Sequence, residues 1–268
     1  MLPTLWTVGT LCGMEVQGAQ VVRRIGSVLR VVAAAAPDGC STSHVAAAAE
    51  LSRPTTHRLL TSPQSEGYLD RDNSTGQWFL GPEMYLMGAV AASRYDVTRY
   101  AQEFVETLAE DTGESAFFSA RRQSETICLI RVDGSFPIRS FVLDVGVRFP
   151  LGVASAGLAI LAHLPKPDVD EYLIRSDLTE RWGSTHQRAE LHARIEQTRQ
   201  RGYAVNPGLI VEGSFGMGAA VFSAVGRPEW ALSITGIESR FSRDRQPELG
   251  RLLLKAAHGL SRRLRHPQ

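Results

Sequence analysis

Residues 53–60 read RPTTHRLL. A proline, two threonines, a histidine and two arginines fill the stretch, and a leucine pair closes it. Pro54 is tolerated in a first helical turn, where its missing N–H has no intrahelical partner to lose. Ser52 stands where an N-cap belongs. On a 3.6-residue period Arg53, Thr56 and His57 share roughly one face, whereas Leu59 and Leu60 lie largely inside. A short helix with an apolar back and a polar front is the expectation. A recognition helix is built this way, with N-terminal residues at base edges and its far side packed on the preceding helices. Arginine suits guanine edges or phosphates, and threonine suits a thymine methyl or a phosphate oxygen. An ordinary surface helix is the competing reading, so the flanks decide.

Upstream, AQVVRRIGSVLRVVAAAA places Val21, Ile25, Val28, Leu29 and Val32 on one helical face, and PDGCS breaks it. Ser41 or Thr42 can cap a second helix, SHVAAAAEL, which a very short turn joins to the quoted stretch. Downstream, Tyr68 to Arg71 and Gln77 to Leu80 read as strands around a DNSTG turn. Helix, helix-turn-helix and hairpin in this order form a winged helix-turn-helix. Arg71, Asn73, Thr75 and Gln77 on the hairpin can reach backbone or minor groove. Pro63 is out of keeping: a proline inside a helix removes one hydrogen bond and clashes with residue 59. The helix is expected to kink or stop near Thr61.

The pattern changes beyond residue 82. Met84, Leu86, Met87 and Val90 mark a linker helix over 83–100, and VTRYAQEFVETLAEDTG is amphipathic. ESAFFSAR, ETICLIRVDG, IRSFVLDVG, YAVN, MGAAVFSA and EWALSITGI read as strands. SAGLAILAHL, DVDEYLIRS, QRAELHARIEQTRQRG and the closing RQPELGRLLLKAAHGLSRRLR read as helices. Strand runs interrupted by helices give an α+β sheet domain over 101–268. The winged domain spans 19–82, and 1–18 reads as a disordered extension.

Composition excludes several function classes. The chain has 268 residues, with 43% apolar and 21% charged, as a folded globular protein should. Its net charge of +1 carries no overall basic field, so any nucleic-acid contact rests on a local patch. Cys12, Cys40 and Cys128 form neither a disulfide framework nor a zinc pattern, which fits a reducing cytoplasm. No apolar run is long enough for a membrane span, and the N-terminus lacks the basic start of a signal peptide.

No catalytic constellation emerges. G-x-S-x-G, H-E-x-x-H and paired-cysteine metal patterns are all missing, so neither metal nor cofactor is expected. His186 and His192 lie in charged helical surroundings and read as solvated surface. GSFGMG at 213–218 has the look of a phosphate cradle, yet it precedes a strand and lacks the P-loop lysine; a turn is the better reading.

RPTTHRLL followed by EGYLDRD and QWFLG resembles the winged helix of the IclR family of bacterial transcription regulators. DVGVRFPLGVASAGLAILAHL, IEQTRQRGYAVN and AAVFSAVGRPEWALSITGIESRF are similar to that family's second domain, so the resemblance runs from about residue 19 to 265. It implies a cytoplasmic homodimer or homotetramer that binds near-palindromic double-stranded operator DNA and acts as a repressor. It further implies a C-terminal GAF/PAS-like domain with an antiparallel sheet that holds a small organic effector. Carried over by position, Arg53, Thr55, Thr56, His57 and Arg58 face DNA, with Asn73 and Thr75 on the wing. Phe141, Leu143, Ser155, Ala156, Asn206, Gly216, Ser233 and Thr235 line the effector pocket.

The pocket residues have their own logic. Ser155 sits at a helix start, where free N–H groups favour a carboxylate. Ser233 and Thr235 alternate along a strand and so face one side. The chain departs from the family at Leu158, where a lysine is frequent, at Gly216, often cysteine, and at Asn206, often acidic; a wider, less polar pocket follows. Two readings from other classes stay open. One is a small-molecule-processing enzyme with a vestigial N-terminal domain, and the other a ligand sensor whose winged helix grips a protein.

Overall fold

The computed structural model describes residues 20–94 and 97–265. The extension at 1–18, with Cys12, lies outside them. The chain divides into two compact units after Tyr95.

The first unit runs α1 (Gln20–Ala34), α2 (Thr42–Ala48), α3 (Arg53–Ser65), β1 (Leu69–Arg71), β2 (Trp78–Leu80) and α4 (Pro82–Arg94). Its core is small: Val28 and Val32 of α1, Val45 of α2, Leu60 of α3, Leu69 of β1 and Trp78 of β2, with Cys40. Ser41 caps α2 by accepting the His44 N–H at 3.2 Å. The Trp78 indole is fully buried and spends its one donor on Thr42 Oγ1 at 2.9 Å. β1 and β2 pair antiparallel, Asp70 opposite Phe79, and Trp78 also exchanges two backbone hydrogen bonds with Cys40. The wing is thereby tied to the start of α2. Val21 departs from its expected core role and is exposed, as is Val22.

Pro63 does not end its helix. α3 continues to Ser65 with Pro63 buried. The Thr61 hydroxyl donates to His57 O at 3.0 Å and that of Ser65 to Ser62 O at 2.7 Å, so side chains serve carbonyls around the interruption. The expectation of a break near Thr61 fails: the bond to Leu59 O is lost, but Pro63 stands two residues from the helix end, so only the final turn bears the interruption.

The second unit opens with α5 (Val97–Thr112), β3 (Ser115–Arg122) and β4 (Glu125–Val132). β5 (Arg148–Pro150), α6 (Ser155–Ala162), α7 (Lys166–Arg175), α8 (Thr179–Trp182) and α9 (Arg188–Arg201) follow. β6 (Ala204–Pro207), β7 (Ser214–Phe222), β8 (Pro228–Ile237) and α10 (Gln246–Arg265) close it. The sheet is antiparallel throughout, in the order β5-β4-β3-β8-β7-β6.

Alternation along the strands sorts the core into two layers. Ala116, Phe118, Met217, Ala219, Leu232 and Ile234 meet α5 and α10 on one face. Phe117, Ala220 and Ala231 meet α6 and α9 on the other. Glu114, buried between α5 and β3, holds Arg240 and Arg245, each at 2.8 Å. Two local expectations are corrected. IRSFVLDVG forms no strand; residues 138–146 are irregular, with bends at 138 and 142 and a turn at 145–146. GSFGMG is no turn beyond Gly213, because Ser214 already pairs with Ile237 as the start of β7.

Candidate functional site

The polar front of α3 is only partly what its sequence suggests. Arg53, His57 and Arg58 are exposed and Thr55 is half-buried. Thr56 is fully buried, its hydroxyl donating to Ser52 O at 3.0 Å. The buried stripe is Thr56, Leu60 and Pro63, spaced by four and three, so Thr56 falls on the core side of the helix while Arg53 and His57 stay outside. Its expected place at DNA is therefore corrected. Ser52 takes the N-cap position but makes no capping bond; its hydroxyl donates to Thr55 Oγ1 at 2.9 Å. Arg53 donates to Ser43 Oγ at 2.8 Å, which brings α2 into the same polar surface. Nothing in the α2 sequence marked Ser43 for that place.

The wing turn is organised by Asp72. Its carboxylate accepts from the Ser74 hydroxyl at 2.5 Å, the Ser74 N–H at 2.7 Å and the Thr75 N–H at 2.9 Å. The Ser74 hydroxyl bond, followed by the backbone bonds, lowers its pKa to about 2. Asn73 and Thr75 stand exposed at the tip, and the Arg71 guanidinium lies 5.4 Å from the Trp78 ring centroid.

A second site lies in the sheet domain. A cavity of about 30 Å³ sits where the N-terminus of α6 approaches β7 and β8. Leu143, Ser155, Ala156, Asn206, Gly216, Ser233 and Thr235 line it together with Phe149, Ile210, Ser214 and others. Small residues make the approach possible. A Cβ on Gly218 would fall 2.9 Å from the Ser155 backbone, and one on Gly216 would fall 3.2 Å from Ser155 Oγ. Ser233 and Thr235 sit opposite Gly218 and Gly216 in the β7–β8 register. Their hydroxyls are buried and have no hydrogen-bond partner.

Two expectations for this pocket need revision. Phe141 is 73% exposed, with Arg131 lying 5.5 Å from its ring centroid, and is not part of the lining. The failed strand explains it: without strand alternation, nothing puts Phe141 on the same side as Leu143. Asn206 lines the cavity, but its amide is committed to structure, donating to Val153 O at 2.5 Å and accepting the Leu209 N–H at 3.2 Å. Phe149 and Ile210, which sequence reading missed, supply the apolar wall; Phe149 sits on β5, a three-residue strand too short to leave a periodic signal. Ser214, in the lining, is tied to Ser140 outside it, their hydroxyls 2.7 Å apart.

His186 overturns its surface reading. It is buried, its Nδ1 lies 2.9 Å from Trp182 O, and Trp182 packs edge-on against Phe149. Burial, then the nearby Arg194, pushes its pKa down. It supports the wall behind the cavity rather than facing solvent. The Cys128 thiol, also buried, is pushed up to about 12 by loss of solvent. Among the described residues, no cluster of His, Cys, Asp and Glu could hold a metal ion, and no helix is long and apolar enough to cross a membrane.

Residues 21–73 match the family model described as the IclR helix-turn-helix domain, and 89–262 match that described as bacterial transcriptional regulator IclR C-terminal. The chain is 28% identical to the HTH-type transcriptional regulator KipR of Bacillus subtilis over 209 residues, 78% of this chain and 83% of that one. It is 29% identical to the transcriptional repressor IclR of Escherichia coli over 221 residues, 80% and 79% of the two chains. Among solved structures, IclR of Thermotoga maritima superposes with a TM-score of 0.71 at 22% identity, covering 91% of this chain and 98% of that one. An IclR homolog of Microbacterium hydrocarbonoxydans complexed with 4-hydroxybenzoate gives a TM-score of 0.73 at 21% identity, covering 91% and 99%.

Proposed function

Because the chain belongs to the IclR family of bacterial transcriptional regulators, we propose that it is a repressor that reads a near-palindromic operator as a homo-oligomer and releases it on binding a small organic acid. It is a DNA-binding transcriptional regulator responsive to an effector. The operator sequence, the acid and the residues that meet each are this reading's own content.

The observation that carries it is the pair of buried, unpartnered hydroxyls, Ser233 Oγ and Thr235 Oγ1, beside the start of α6. An unpaired buried hydroxyl costs the fold stability, so a site that keeps two of them keeps them for something that binds. Two donors near a helix N-terminus suit a carboxylate, and Leu143, Phe149 and Ile210 suit an apolar body behind it. As it stands the cavity holds little more than a water molecule, against roughly 150 Å³ for one that takes a benzene ring. Effector entry therefore requires the lining to open, and on this reading the Ser140–Ser214 bond is the latch that parts.

On the DNA side, Arg53, Thr55, His57 and Arg58 present donors from α3, and Asn73 and Thr75 reach out from the wing. Tyr85, Leu86 and Met87 leave an apolar, exposed face on α4 that suits the same face of a second copy. Two copies related by a two-fold axis read two half-sites. The linker helix at 83–100 and the effector domain at 101–268 are proposed boundaries within this scheme. A cytoplasmic location follows from a DNA target.

The test is operator binding by gel shift on DNA upstream of the chain's own gene, with and without a panel of aromatic and short-chain carboxylates. Retarded DNA that one carboxylate releases supports the reading. Retardation that no carboxylate changes rejects the acid as effector, and no retardation at any salt concentration rejects the DNA target.

A further inference from the structure

A second concavity lies at the other end of β7 from the ligand cavity, between the β7–β8 turn and the latter part of α10. It is a groove of about 800 Å³, within the roughly 300–1,000 Å³ that small-molecule sites occupy. Lys255, His258, Arg262 and Arg265 line one wall, and all four are exposed. Their spacing of three, four and three residues keeps them in one line, about 15 Å long at helical rise. Among the described residues, no aspartate or glutamate lines the groove, and none of the four cations takes part in an ion pair. Elsewhere in this unit arginines are matched to acids, Arg131 to Asp133 and Asp144, and Arg240 and Arg245 to Glu114.

The chain itself fixes the walls. The Phe222 N–H donates to Ser261 Oγ at 3.0 Å while that hydroxyl donates to Ala257 O at 2.7 Å, so the end of β7 is tied to α10. Ser223 closes the turn. Its N–H donates to Arg227 O at 2.8 Å, and its hydroxyl accepts the Arg227 N–H at 3.2 Å. Val225 stands exposed in that turn and Phe222 half-buried at its base, so the wall opposite the cations is apolar. Helix electrostatics explain only part of the cationic line. Basic side chains in a last turn offset the free carbonyls there, an effect that dies away within that turn. Arg262 and Arg265 fall inside it, whereas His258 and Lys255 stand about two and three turns back from the helix end.

We propose that this groove binds a nucleoside polyphosphate, with the phosphates along the cations of α10 and the nucleoside against the β7–β8 turn. The charge pattern selects the phosphates. Two arginines, a lysine and a histidine in one line exceed what a single carboxylate can match, whereas a short chain of phosphates carries several negative charges on neighbouring groups. Arginine forks also fit phosphate oxygens two at a time. The free carbonyls at the end of α10 oppose an anion with about half a charge, which four cations outweigh. Val225 and Phe222 give the flat body of a base an apolar surface. A duplex presents phosphates too, but the turn that walls the groove on one side favours a small occupant. The contacts are solvent-exposed, so the affinity is modest and falls with salt. The groove shares no residue with the ligand cavity, and a failure here leaves that reading untouched.

Titration calorimetry of the full-length protein with adenosine triphosphate, and separately with inorganic triphosphate, tests it at about 0.05 M and about 0.3 M salt. The nucleotide should bind, more weakly at the higher salt, and several-fold tighter than inorganic triphosphate. Lys255→Gln/Arg262→Gln should weaken it by roughly tenfold or more. Arg251→Gln removes an exposed cation of the same helix outside the groove and should leave the affinity unchanged. Val225→Asp, which sets a carboxylate in the apolar wall, should abolish binding. Circular dichroism and melting temperature show that each variant folds. No binding, unchanged affinity in the double variant or an equal loss in Arg251→Gln would overturn the site. Equal affinity for the two triphosphates would overturn the nucleoside as occupant. Binding of duplex DNA that the double variant loses, with no triphosphate bound, would overturn the proposal in favour of nucleic acid.

Discussion

Ser233 and Thr235 show how a single atom can serve binding at the expense of folding. Their hydroxyls lie buried without partners, so Ser233→Ala with Thr235→Val should raise the melting temperature of the free protein. Relief of the unpaired groups is worth about 1–3 kcal/mol. The same double variant should lose its response to the carboxylate in titration calorimetry. A variant that melts earlier and still binds would refute the assignment. At α3 the contrast lies between neighbours. Arg58→Ala should weaken operator binding by about 1–3 kcal/mol if it meets a base, or lower the salt slope by about 0.9 if it meets a phosphate. Thr56→Val should leave DNA affinity nearly unchanged and cost about 1 kcal/mol of stability for the lost bond to Ser52 O, which paired chemical denaturation and binding curves can check. Asp72 supplies a pH test. Its folded pKa, about 2, lies below the ordinary carboxylate value, so its contribution is present above about pH 4 and disappears as pH falls through about 2. The amide resonances of Ser74 and Thr75 should therefore titrate together in that range, and a midpoint near 4 would contradict the hydrogen-bonded turn.

At the scale of elements, Gly218 fixes how closely α6 can lie on the sheet. A Cβ there meets the backbone of Ser155 and Ala156, which cannot swing aside as a side-chain tip would. Gly218→Ala should push the start of α6 away and cost about 1–3 kcal/mol, read by thermal melting; equal stability would mean the helix is looser than it looks. How much of this was legible in sequence depended on how local its cause is. Helix-turn-helix and hairpin were readable because caps, turn residues and periodicity lie within a few positions of each other. The strand that carries Ser233 and Thr235 was readable from its composition, and their shared face from alternation. Phe141 was misplaced because its segment has strand-like composition but no strand partner. His186 was misjudged because the groups that bury it, Trp182 and the wall around Phe149, come together only in the folded domain. Thr56 failed for a narrower reason: three residues forward on a helix is a neighbour, yet one already turned towards the core.

For the whole molecule, the question is how copies assemble on DNA. The α4 face offers apolar area, so a contact made there should survive high salt. Leu86→Glu with Met87→Glu should split the high-salt dimer and weaken operator binding sharply, because each half-site alone lacks its partner. A dimer that persists in sedimentation at about 0.5 M salt would place the contact elsewhere.

The Ser140–Ser214 latch carries a consequence for sensitivity. On the proposed reading, an effector binds only the fraction of molecules whose latch is open, and its apparent affinity is its intrinsic affinity scaled by that fraction. One hydrogen bond between two hydroxyls would then set the concentration at which the regulated genes respond. Such a threshold can drift through evolution without altering what the pocket recognises.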